Sequence, residues 1–259
     1  MRLSLFSLLL LLGFLIISCS SSSPTENEFE EPQPPEFASI PDFVFTFPGE
    51  YPEDIYTSEE VEYQEEMVIG YSLDQFVPID VGDEENIDLR PLYAYEIVGE
   101  DDFTPRMRLD QDLHWSLFSN GYLLPEKEHR TFISSSSELR PYNVKFAETI
   151  NLYRKIDVIK SDNDPVMFEV RGMVTIELDN DVVIPLSSFI TDYITGNPEN
   201  FDYKLIDINN GEYDFSWSEL SNGFWHINNE TAVILLMDDE TEPDYQIINF
   251  LMSIELHEI

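Results

Sequence analysis

The sequence predicts a sheet-predominant α+β fold: two tandem repeats of one small unit, behind an apolar leader and a polar tether. Three observations predict it. Residues 167–176, 203–208 and 232–237 are β-branched or alternate apolar with polar side chains, the period-two pattern of strands. Helical spacing is brief: Leu186, Phe189, Ile190, Tyr193 and Ile194 follow the i, i+3, i+4, i+7, i+8 rule, with Gly196 as a stop. The third is a recurrence. Trp115-Ser116-Leu117-Phe118-Ser119-Asn120-Gly121-Tyr122 returns 102 residues later as Trp217-Ser218-Glu219-Leu220-Ser221-Asn222-Gly223-Phe224.

The elements follow in order. Met1 and Arg2 precede an apolar run from Leu3 to Ile17. That run is shorter than the roughly 20 residues of a membrane helix and suits the apolar region of a signal peptide, read over residues 1–18. Residues 19–41 form a disordered tether. Ser20 to Ser23, then Glu31-Pro32-Gln33-Pro34-Pro35-Glu36, carry no apolar periodicity. About twenty such residues span ~25 Å as a flexible coil, enough to lift a body off a bilayer.

Folding starts near Asp42, where Phe43 to Phe47 reads as a strand. Repeat unit A covers 42–160 and repeat unit B covers 161–259. Upstream of the recurring motif, Tyr93 to Val98 parallels Phe201 to Ile206, while Leu73, Phe76 and Val77 parallel Leu186, Phe189 and Ile190. Downstream, Thr131 to Ile133 parallels Thr231 to Ile234. Each unit closes on a long strand, 148–158 or 250–256. In unit B, Ser216 with Glu219 matches a capping box, with Gly223 ending the short helix. Asn209-Asn210-Gly211 marks a turn.

Charge narrows the function. Thirteen Lys and Arg face 52 Asp and Glu, a formal net charge of −39. Such a field repels nucleic acid and anionic surfaces and favours cations or basic partners. Phosphate recognition needs clustered Lys and Arg, and here they are read as dispersed singly apart from Arg106 and Arg108. Nucleic acid is excluded as a partner. The acids run along the whole body, as in proteins adapted to salt, where ions screen self-repulsion. The apolar fraction of 42% and aromatic fraction of 13% still support a real core.

Two groups of residues are candidates for a site. Trp115, Tyr122, Trp217, Phe224 and Trp225 could form an aromatic platform for a sugar or peptide; the plainer reading is a repeated helix whose Trp plugs each core. Asp162 and Asp164, Asp179 and Asp181, and Asp238 and Asp239 offer hard oxygen ligands suited to Ca²⁺. None has the spacing of a calcium loop, and such pairs follow from composition alone. No cofactor other than Ca²⁺ is implied. The four histidines form no zinc-binding pair, and no Gly-x-Ser-x-Gly elbow is present. Carboxylates could serve glycosidic chemistry, but no pair stands out.

Two resemblances add to this reading. Ile16-Ile17-Ser18-Cys19 resembles the lipobox of bacterial lipoproteins, which implies cleavage before Cys19 and lipidation of its sulfur. Cys19 is the sole cysteine, so it forms no internal disulfide. Several buried acyl chains at roughly 0.8 kcal/mol per CH₂ make such an anchor stable. Ser20 in place of an aspartate implies the outer membrane, with the body facing the periplasm or the cell surface. Over 166–259, and more faintly 65–158, the order of segments looks like that of sulfite-oxidase-type molybdopterin domains. Phe168 to Val174, Ile184 to Ile190, Tyr203 to Gly211 and Asn249 to Leu256 carry it. The metal-ligating cysteine and basic pterin-binding residues of that family have no counterpart, so its activity is not implied.

These readings lead to a non-catalytic, lipid-anchored envelope protein whose duplicated acidic body binds a protein or a glycan. Two alternatives stand beside it. One is a carboxylate-dependent hydrolase of the cell envelope, the other a divalent-cation-binding lipoprotein.

Overall fold

The computed structural model describes residues 41–79, 81, 87–105, 112–136, 139–160, 165–178, 181–191, 193–236 and 244–259. The leader, Cys19 and the tether as far as residue 40 lie outside them. Strand predominates, as the sequence predicts, in three sheets. The first half contains β1 (Phe43–Thr46), β2 (Ser58–Tyr63), β3 (Glu66–Ser72), β4 (Tyr93–Gly99) and β5 (Leu113–His114). It continues through α1 (Trp115–Phe118), β6 (Tyr122–Leu124) and β7 (Arg130–Phe132) to the long β8 (Ala147–Lys160). The second half opens with β9 (Val166–Glu169), β10 (Ile176–Leu178), β11 (Asp181–Pro185), α2 (Leu186–Thr191) and β12 (Phe201–Asp207). It ends with β13 (Glu212–Phe215), α3 (Trp217–Leu220), β14 (Gly223–His226), β15 (Thr231–Leu236), β16 (Asp244–Asn249) and β17 (Leu251–Glu258).

The central sheet runs β13-β12-β17-β8-β4-β5, with β1 and β9 also on β8. Strand β8 belongs to both halves. Its length of 14 residues explains why: one face reaches one core with its first part and the other core with its last. Ile150 and Leu152 enter one core with Leu73, Phe118 and Leu123. Ile156 and Val158 enter a second core with Phe189, Leu220 and Trp225. Fully burying each such aliphatic side chain contributes about 1.5–3 kcal/mol. Strand β17 lies parallel to β8, Ser253–Leu256 against Asp157–Lys160. The two outer sheets are β2-β3-β6-β7 and β10-β11-β14-β15-β16.

Strand pairing follows the same order in both halves. Tyr95 faces Leu113 and Leu152, as Tyr203 faces Phe215 and Leu256. The register shifts after Val98 in one half and after Ile206 in the other. Phe146 and Phe250 both hold a left-handed backbone, with φ of 51° and 53°. Each donates its N–H to a glutamate carbonyl, Glu128 at 2.9 Å and Glu230 at 2.8 Å.

Local expectations fare unevenly. Ser216 and Glu219 do form a capping box, and Asn210 turns the chain with φ of 64°. Gly223 serves packing more than capping: a Cβ there would meet Leu186 Cδ1 at 2.7 Å, as one at Gly121 would meet Leu73 Cδ1 at 2.9 Å. The strand expected over 167–176 is broken. A 3-10 turn at Val170–Gly172 interrupts it, because Arg171 turns back to hydrogen-bond Glu169. The helix at Leu186 stops at Thr191, with Tyr193 and Ile194 still packed on the core.

Candidate functional site

Two polar assemblies stand out against the apolar cores. The first lies on the face of β8 opposite those cores, where Asn151, Tyr153, Lys155 and Asp157 project by alternation. Arg171 Nη2 donates to Asp112 and its Nε to Glu169, while its guanidinium carbon sits 3.3 Å from the Tyr153 ring centroid. Tyr153 and Asn151 both donate to Glu96 Oε2, at 3.1 and 3.0 Å. Lys155, 2% exposed, pairs with Asp157 at 2.5 Å.

Burial shifts the protons here. It pushes the Lys155 ammonium below its ordinary pKa, and Asp157 offsets part of that. Burial also lowers His114, again opposed by Asp157. The Tyr153 phenol rises to about 12, first through burial and then through Glu96. Charges this enclosed persist only when paired. The assembly ties β4, β8 and the turn after β9 together.

Arg154 occupies the other side of β8, between the two cores, and is 3% exposed. It donates to the carbonyls of Leu92 in the first half and Leu251 in the second, at 3.1 and 2.7 Å. A further bond reaches the Lys155 carbonyl, and Glu230 accepts from Nε at 2.7 Å. Its own backbone N–H donates to Asp42. Crowding around the Asp42 carboxyl pushes its pKa up to about 6, with Glu230 adding to the rise, although the residue keeps solvent exposure.

The second assembly is a groove of about 1070 Å³ on the outer sheet of the first half. The β2–β3 hairpin forms one wall with Glu62, Tyr63, Gln64 and Glu65. Gln64 and Glu65 both have left-handed backbone, φ 53° and 69°, the geometry of a two-residue hairpin loop that usually takes Asn-Gly. Arg130 and Phe132 of β7 form the floor, and Phe132 meets Tyr63 edge-on at 5.2 Å. Arg140, Lys145, Phe146, Asp101 and Phe103 line the groove as well. Arg130 donates to the Tyr63 hydroxyl at 3.1 Å. Glu128 takes Lys145 at 2.9 Å and Arg130 at 3.6 Å. Arg140 makes no ion pair with a described residue, and Phe146 is 48% exposed.

The aromatic residues singled out by sequence do not converge on one platform. Trp225 is wholly buried in the second core, with the Arg154 guanidinium 5.1 Å from its ring. Trp115 and Trp217 lie against Tyr95 and Tyr203, at 5.4 and 5.7 Å, and Arg90 covers Trp115. Asn120 and Asn222 donate to the carbonyls of Ser116 and Ser218. The recurring motif thus meets its own packing and hydrogen-bonding needs. Tyr122 faces Phe132 across β6 and β7, beside the groove, and Phe224 faces Val233 in the second half.

Of the acidic pairs, Asp162, Asp164, Asp179, Asp238 and Asp239 lie outside the described residues. Asp181 is engaged by His226 at 2.7 Å and Asn228 at 2.9 Å, and the His226 hydrogen bond holds its carboxyl below the usual range. Among the described residues no cluster of three His, Cys, Asp or Glu could hold a metal ion. None of their helices is long and apolar enough to cross a membrane.

Sequence reasoning missed the groove, but a signal was there. Lys127, Arg130, Arg140 and Lys145 fall close together in a chain with only thirteen basic residues. No family model, no curated protein and no solved structure matches this chain.

Proposed function

We propose that this chain is a lipid-anchored, non-catalytic binding protein of the bacterial outer membrane, whose duplicated body takes a protein or glycan in the first-half groove. One observation carries the reading: in a chain of net charge −39, three of thirteen basic residues line one groove beside the exposed ring of Phe146. Pockets that bind ligands combine apolar walls with a few polar groups of this kind. Support for duplication is the matched pairing, register shift and left-handed phenylalanine of the two halves. Support for the anchor is the sequence around Cys19. The tether would hold the groove clear of the bilayer.

A hydrolase would need two carboxyls facing one cleft, one with a raised pKa. Among the described residues the carboxyl with a raised pKa, Asp42, does not line the groove. The test places a photoreactive phenylalanine analogue at Phe146 in full-length protein in native envelopes. One dominant crosslinked species is expected, together with acyl labelling that disappears in Cys19→Ala. A bait that crosslinks to nothing, or a Cys19→Ala protein that still labels, would contradict the reading.

A further inference from the structure

We infer that the groove takes a neutral oligosaccharide, with Phe146 as its stacking residue; the inference rests on the groove being the binding site. The charges that line it balance among themselves, and Glu128 beside them pairs with Arg130 and Lys145. Arg130, Arg140 and Lys145 stand against Glu62, Glu65 and Asp101, while the chain around them carries an excess of 39 negative charges. A polyanion would meet the repulsion of the whole body. A strongly basic partner would find better surface almost anywhere else. An uncharged chain of hydroxyls gains from both signs, because guanidinium donates and carboxylate accepts, and charged partners make the stronger hydrogen bonds.

Phe146 supplies the apolar contact. Its left-handed backbone is fixed by the bond from its N–H to the Glu128 carbonyl, and a bulky residue rarely takes that conformation. At the matching position Phe250 explains its own bulk, for it packs against the first core. Phe146 has no such use: 48% of it is exposed at the groove. An exposed ring presents a negative π-face, suited to the electropositive C–H face of a sugar. At about 1070 Å³ the groove exceeds the 300–1,000 Å³ typical of a drug-sized ligand, so several sugar units fit it better than one.

Affinity electrophoresis of the full-length protein in detergent tests this, with laminarin, xyloglucan, mannan or soluble starch cast in the gel and alginate as the acidic control. At least one neutral polysaccharide should retard the protein, and retardation should persist at high salt. Phe146→Ala and Arg140→Ala should each weaken it at least tenfold, with melting temperature unchanged. Retardation by alginate alone, or by none of the five, would overturn the inference, as would full retention in Phe146→Ala. If none retards but the Phe146 crosslink still forms with a protein, the binding role stands and the sugar falls. If both fail, both readings fall.

Discussion

The two halves of this molecule share a framework and differ in what they do with it. Tyr95 and Tyr203 occupy the same register, and each donates its hydroxyl to a carbonyl five residues earlier, Arg90 or Pro198. Side chains at other matched positions diverge. Arg154, opposite Tyr93 on β4, is buried between the cores, while Glu258, opposite Phe201 on β12, is exposed and pairs with Lys160. Leu123 with Thr131 in one outer sheet becomes Trp225 with Ala232 in the other, a large residue offset by a small one. Phe146 faces a groove and Phe250 faces a core. The backbone bonds tolerate these changes because they do not depend on side chains.

Breaking the junction should have the largest effect. Arg154→Ala leaves Glu230 and the Leu92 and Leu251 carbonyls without their donor. Removing one partner of a buried charge pair costs about 3–5 kcal/mol, which equilibrium urea unfolding should record. Next comes the volume exchange. Trp225→Leu should cost about 2–3 kcal/mol through the cavity it leaves, and Ala232→Val about 1–3 through overpacking. The double variant should cost less than the sum, since the residues are direct neighbours.

Helix caps give a smaller contrast. Ser216 and Glu219 close a capping box on α3, Glu219 accepting from the Ser216 N–H, whereas His114 offers α1 no side-chain hydrogen bond. Ser216→Ala should therefore cost about 1 kcal/mol, visible as a lowered melting temperature. The smallest effect is one of pH. Asp42 has a folded pKa raised to about 6 from 3.8, so its stabilising contribution is full below pH 3.8 and lost as pH rises through 6. Asp42→Asn keeps an acceptor for the Arg154 N–H and removes that loss. Its melting temperature relative to the native chain should be higher at pH 7.5 than at pH 4.5. A difference that does not vary with pH would contradict the assignment.

Much of the framework was legible in the sequence, because strand alternation, the capping box and the recurring Trp-to-Gly motif are local signals. Strands β1, β8, β12, β15 and β17 fall close to where alternation places them. The break at Val170–Gly172 was not legible, since Arg171 there reaches not only Glu169 but also Asp112, a residue distant in the chain. The groove was hidden for the same reason. Its walls come from residues 62 to 146, brought together by pairing that no local pattern encodes. The aromatic motif drew attention because it recurs, yet recurrence reflected packing, while Phe146 carried no motif at all.

One paired measurement tests whether the proposed binding resides where the halves diverge. Phe146→Ala and Phe250→Ala full-length proteins are compared for melting and for retardation in the polysaccharide gel, at a temperature where both are folded. Phe250→Ala should lose about 2 kcal/mol of stability and keep its ligand. Phe146→Ala should change stability by less than about 0.5 kcal/mol and lose the ligand. Equal losses of stability, or a ligand retained by Phe146→Ala and lost by Phe250→Ala, would contradict that placement.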